Sequence, residues 1–162
     1  MKSLSIILAS VFLLFLTSSV STESTEATLN KTAPLFKLVR GNKTIDLQRL
    51  RGEYVLVNFW SVEDAQSRIN NVRYDRIVKN SNNELNFISI NIDTDYQLYS
   101  QILEIDKLEK RNQYNHSEIV YGKINSEWLN ERGYKAYLIN PKGEIEKINP
   151  NENQLKEKLN FQ

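Results

Sequence analysis

The chain has 162 residues, 40% of them hydrophobic, a formal net charge of +1 and no cysteine. That length buries one core and hardly two, and the even mixture of Lys, Arg, Asp and Glu leaves no basic face of the kind that displaces counterions from nucleic-acid phosphates. The missing cysteine excludes disulfide staples, intrinsic thiol chemistry and lipid modification of a sulfhydryl.

Lys2, an apolar run over residues 4–16 and the polar stretch Thr17-Ser18-Ser19-Val20-Ser21 have the layout of a secretory signal peptide cleaved near Ser21. The run is shorter than the roughly twenty apolar residues that span a bilayer, so this segment engages a membrane only if it is retained uncleaved. Without Lys2 the basic and acidic residues are equal in number. Residues 22–32 are Ser, Thr, Glu and Asn with little apolar content and read as a flexible leader. The expected organisation is a signal peptide over 1–21, a leader over 22–32 and one domain over 33–162.

Within the domain, Leu35-Phe36-Lys37-Leu38-Val39 predicts a short strand and Arg40-Gly41-Asn42-Lys43 a turn. Thr44-Ile45-Asp46-Leu47 returns as the second arm of a hairpin that runs into a helical turn before Gly52. Residues 54–60 are almost unbroken bulky β-formers, as a central strand covered on both faces must be. Ala65, Ile69, Val72 and Ile77 then recur at helical spacing and predict a helix over 62–79, stopped by Asn80-Ser81-Asn82-Asn83. Alternation over 85–92 predicts a second internal strand, and strand, helix and strand in that order make a parallel crossover. A helix over 96–108, a short strand over 117–121 and a short helix over 125–132 ended by Gly133 follow. A hairpin turns at Pro141-Lys142-Gly143, and a closing helix over 151–159 places Leu155 and Leu159 on one face. The fold class is α/β, a central mixed sheet flanked by helices with an N-terminal β-hairpin extension.

This order of elements resembles the thioredoxin-like fold, and four segments carry the resemblance. Ala33-Pro34-Leu35-Phe36 with Gly41-Asn42-Lys43-Thr44-Ile45-Asp46-Leu47 is similar to the N-terminal hairpin of bacterial envelope thiol-disulfide oxidoreductases that assist cytochrome c maturation, and of related peroxiredoxins. Residues 50–61 resemble the family's strand leading into the active-site helix, Phe87-Ile88-Ser89-Ile90-Asn91-Ile92-Asp93 its next strand, and residues 133–145 its late hairpin. The resemblance implies a thioredoxin-like fold and residence in the periplasm or cell envelope.

The family's chemistry does not carry over. Its pattern sets a Cys-x-x-Cys pair and a basic residue after the strand, and placing Arg68 on the basic residue puts Asp64 and Ser67 at the two cysteine positions. A helix amino terminus stabilises a thiolate, and Asp64 sets a permanent carboxylate there instead. Ser67 cannot resolve a mixed disulfide, because its hydroxyl forms no bond to sulfur. The family's cis proline falls on Tyr134, where a cis bond would cost roughly 2.5 to 4 kcal/mol, so a trans peptide is expected. The implied protein is redox-inactive.

Asp64, Ser67 and Tyr134 therefore mark a degenerate active site, with Trp60, Ser61, Glu63 and Arg68 as candidate groove residues. Ser61-Val62-Glu63-Asp64 fits a capping box with Ser61 as the cap. A second reading gathers Glu63 and Asp64 with Asp93 or Asp95 at the carboxyl ends of neighbouring strands, as a cation site or, with Ser67, a non-redox enzyme. His116, the only histidine, lies in a polar stretch and reads as a solvated surface residue; no pattern links it to Ser67 in a relay. One histidine without cysteine disfavours zinc. Trp60 and Tyr137 also fit core packing. No catalytic residue, cofactor, haem or metal is expected, and the expected partner is an envelope protein or peptide. Three Asn-x-Ser/Thr sites, at Asn30, Asn42 and Asn115, are coincidental if the protein has the bacterial origin that the resemblance implies.

Overall fold

The computed structural model describes residues 27–80, 85–129 and 133–159, and the expected signal peptide lies outside them. Its strands are β1 (Lys37–Arg40), β2 (Lys43–Asp46), β3 (Tyr54–Trp60), β4 (Leu85–Asn91), β5 (Gln113–Asn115), β6 (Ile119–Tyr121), β7 (Ala136–Ile139) and β8 (Ile145–Ile148). The α-helices are α1 (Ala65–Lys79), α2 (Tyr96–Ile105) and α3 (Glu152–Leu159). A five-stranded sheet has the order β5-β4-β3-β7-β8, and a three-stranded sheet the order β2-β1-β6. Strands β3, β4 and β5 are parallel, whereas β7 and β8 run antiparallel, so the central sheet is mixed.

Strand β3 is buried at every residue after Tyr54 because it has neighbours on both edges and layers on both faces. Its alternate side chains separate the core into two sides. Val55, Val57 and Phe59 face Phe36, Leu38 and Trp128, while Leu56 meets Tyr74, Ile77 and Val78 of α1 and Leu155 of α3. Trp60 packs against Tyr99, Ile102 and Leu103 of α2. The helices thus cover one face, and the small sheet with a π-helical turn at Ile124–Trp128 covers the other. Trp128 sets its ring edge-on to Phe36 and Tyr137, with centroids 5.7 and 5.1 Å apart.

The predicted hairpin is present, but β6 adds a third strand to it. This contact needs Gly122: its φ is +112°, and a Cβ there would lie 2.8 Å from both the Leu35 carbonyl oxygen and the Phe36 Cβ. Strand β5 was not expected, because a single Tyr between Gln and Asn gives no strand pattern; Tyr114 joins the core, and Gln113 and Asn115 are buried through hydrogen bonds to Asn71, Asn91 and Asp93. Helix α1 begins after Asp64 rather than at Val62, and α2 ends at Ile105, where Lys107 turns left-handed and its amide and that of Leu108 close onto Glu104 and Leu103. The helix predicted over 125–132 is the π-helical turn, with residues 130–132 outside the described part. Leu155 is buried as expected, and the Leu159 side chain also lies outside the described part. The leader expected over 22–32 is bonded from Ala27 on: Asn30 and Lys31 exchange backbone hydrogen bonds with Ile145, and Thr32 bridges Glu144.

Candidate functional site

The turn between β3 and α1 carries the positions singled out in the sequence, and its polar groups are directed inward. Asp64 is the N-cap of α1, its carboxylate accepting from the Ser67 amide at 2.6 Å. Ser67 is 5% exposed; its hydroxyl donates to the Asp64 carbonyl at 3.0 Å and accepts from the Ser61 amide at 3.2 Å. Asp93, after β4, ties down the start of the turn by accepting from the Ser61 hydroxyl and the Val62 amide, each at 2.6 Å. The Asn91 amide holds Asp93 in turn at 2.7 Å. The capping box expected on Ser61 is therefore displaced. Ser61 follows directly on β3, is buried and faces Asp93, which leaves Asp64 at the helix start.

This arrangement also separates the carboxylates that the second reading would have gathered. Asp64 caps α1, Asp95 caps α2 through the Leu98 amide at 2.9 Å, Asp93 holds the turn, and Glu63 is exposed. Among the described residues no set of three His, Asp or Glu side chains could hold a metal ion. Two candidate groove residues are engaged elsewhere. Trp60 is fully buried beside Tyr99, with ring centroids 6.1 Å apart. Arg68 forks onto Asp106 with both bonds at 2.7 Å, joining α1 to the end of α2, and these bonds raise its already high pKa. Ser61 is buried too, and of the candidates Glu63 is open to solvent and Tyr134 half-buried. No peptide among the described residues is cis, so the bond before Tyr134 is trans as expected. Around the turn, Gln66 and Ile69, the latter 61% exposed, supply the remaining surface.

Behind the turn runs a buried polar ladder that the sequence reading missed. Asn58, Ser89 and Gln113 are register partners across β3, β4 and β5, and Trp60, Asn91 and Asn115 form a second row. Asn71 of α1 accepts from Ser89 at 2.6 Å and from Asn58 at 3.2 Å, and donates to Gln113 at 3.0 Å. In the second row Asn115 donates to Asn91 at 3.1 Å and to the Asp93 carbonyl at 2.9 Å. The signal was Asn58, Ser89 and Asn91 interrupting strands that are otherwise apolar.

Clefts open elsewhere. One of about 380 Å³ lies among Lys43, Asp46, Arg49, Phe87 and Arg111, another of about 540 Å³ among Pro34, Leu35, Tyr121 and Glu127, and a third beside His116. None of the three is lined by Asp64, Ser67 or Tyr134. His116 is not the solvated residue the sequence suggested. It is half-buried, and its Nδ1 is buried without a hydrogen-bond partner among the described residues.

The solved structure of a thioredoxin-like protein from Parabacteroides distasonis matches with a TM-score of 0.68 and 26% identity, over 83% of this chain and 96% of that one. The fold is thioredoxin-like. The thioredoxin domain of a thiol-disulfide oxidoreductase from Bacteroides vulgatus matches with a TM-score of 0.64 at 17% identity, over 82% of this chain and 98% of its own. The pneumococcal exposed lipoprotein thioredoxin from Streptococcus pneumoniae matches at 0.55 and 15% identity, over 78% and 98%. These last two likenesses concern the fold alone. No protein-family model matches the chain, and no curated protein matches it either. The resemblance read from the sequence is borne out, and with it a thioredoxin-like scaffold that has no cysteine.

Proposed function

We propose that this protein is a redox-inactive thioredoxin-like module of the bacterial cell envelope, which binds a protein or peptide on the surface between the 61–68 turn and the Tyr134 loop. The observation that carries this reading is the rebuilt turn. Asp64 and Ser67 occupy the two thiol positions, and each is a structural part of the helix start. A scaffold that has exchanged its reactive atoms for a cap and a buried hydroxyl keeps its shape and loses its reaction. What remains for it is recognition by surface.

Glu63, Gln66, Ile69 and Tyr134 supply that surface, and Ile69 is its most exposed apolar side chain. Covering the part of Ile69 that is open to solvent contributes about 1 to 2 kcal/mol to an association. The envelope location is supported by the signal-like N-terminus. Among the described residues no helix is long and apolar enough to cross a membrane.

Pull-down from a bacterial envelope fraction, comparing the native protein with Tyr134→Ala and Ile69→Asp, tests the surface. The reading predicts that the proteins retained by the native chain are depleted at least tenfold with either variant. Identical partner sets would rule out this surface.

A further inference from the structure

The residues that follow β4 and β5 meet at the carboxyl ends of two parallel strands, the edge at which open α/β sheets take ligands. A cleft of about 470 Å³ opens there, lined by Ile92, Thr94, His116, Ile119 and residues 122–126. Its size is that of a small-molecule site. The wall holds one cation, Lys123, with the Thr94 and Ser126 hydroxyls, the His116 imidazole and three isoleucines, Ile92, Ile119 and Ile124; it holds no carboxylate. No ion pair of the Lys123 ammonium occurs among the described residues, and Lys123 also borders the neighbouring cleft, where the Glu127 carboxylate accepts its backbone amide at 3.4 Å.

His116 is free of structural duty in its own turn. Asn115 and Glu118 close that turn as a capping box, and Arg40 grips Glu118 through two guanidinium hydrogen bonds at 2.5 and 2.9 Å. The backbone at His116 is thus fixed without help from the imidazole, and the buried Nδ1 is left without a partner. Native interiors rarely leave such an atom unsatisfied. Among the described residues a rigid support, a lysine without an ion pair, an imidazole whose Nδ1 has no partner and an aliphatic wall line one cleft.

We propose that this cleft binds a short aliphatic carboxylate, either as a free acid or as the terminal carboxylate of a peptide ending in an aliphatic residue. The carboxylate pairs with Lys123 beside His116, Thr94 and Ser126, and the aliphatic part lies over Ile92, Ile119 and Ile124. The cleft shares no lining residue with the 61–68 turn, so this inference is independent of the binding surface proposed above.

His116 is the only histidine, so its ring ¹H–¹⁵N correlations in the purified protein report on this site without ambiguity. The probes are isovalerate and a tripeptide ending in leucine, each with its amide as the uncharged control. The proposal predicts a saturable shift of the ring signals with at least one carboxylate, no shift with the amides, and binding at least tenfold weaker in Lys123→Gln. The shape-conserving Thr94→Val is expected to weaken it by a smaller factor, and Tyr134→Ala to leave it unchanged. A response to the peptide alone assigns a chain terminus as the ligand; a response to isovalerate alone assigns a free acid. Absence of saturable shifts with both carboxylates, equal shifts with the amides, or unchanged binding in Lys123→Gln would overturn it.

Discussion

The turn that enters α1 and the cleft beside His116 lie at the same carboxyl edge of the parallel strands, yet they treat polar side chains in opposite ways. In the turn, Asp64, Ser67, Ser61 and Asp93 satisfy one another and the backbone, and Arg68 is locked to Asp106. In the cleft, Lys123 has no counter-ion among the described residues and the Nδ1 of His116 has no partner. Residue type alone does not separate the two regions, since Ser, Asn and charged residues occur in both. What separates them is whether hydrogen bonds close within the chain. The turn that enters α1 is framework, and open polar capacity lies at the next strands along the edge.

Substitutions break this comparison unequally. Asn71→Ala removes the shared partner of Asn58, Ser89 and Gln113, leaving three buried polar groups poorly satisfied. At 1 to 3 kcal/mol per abandoned group, stability falls by about 4 kcal/mol, read as a lower urea midpoint at constant m-value. Asp93→Ala removes the acceptor of the Ser61 hydroxyl, the Val62 amide and the Asn91 amide, and about 3 kcal/mol is expected by the same measurement. By contrast, Ser126→Ala in the cleft should alter stability by less than about 0.5 kcal/mol, because Ser126 is exposed.

Alkaline titration addresses the scaffold beneath both regions. Burial pushes the Tyr137 phenol up to about 12, and burial also raises Tyr74, Tyr99 and Tyr114. Unfolded tyrosine ionises near 10, so the folded state holds the proton more tightly. The stabilisation is complete below pH 10 and is lost as pH rises toward 12, by about 2 to 3 kcal/mol from Tyr137. Unfolding midpoints measured from pH 8 to 11.5 should therefore fall above pH 10; a flat profile would mean that these phenols are not enclosed. Asp64→Ala, which deletes one cap, is the mildest change in the turn at about 1 kcal/mol, and it should leave the His116 ring signals in place.

Much of this fold was legible in the chain. The unbroken β-formers of β3, the 3.6-residue period of α1 and the Pro141-Lys142-Gly143 turn each follow from local chemistry. The absence of thiols could be read directly, whereas the cap could not: the sequence set it on Ser61, and the structure sets it on Asp64, because Ser61 is taken up by Asp93. What escaped depends on partners distant in sequence. Gln113, Tyr114 and Asn115 look like a loop until Asn71 and Asn91 are placed beside them. Trp60 was a fair groove candidate until α2 covered it. His116 looked solvated because nothing local shows that Arg40 and Glu118 hold its turn and that Ile92 and Ile124 enclose it.

The most direct test of the central claim is insulin reduction by the purified protein in the presence of dithiothreitol. The account predicts that insulin precipitates at the rate set by the reductant alone, whatever the protein concentration. Acceleration proportional to the amount of protein would contradict it.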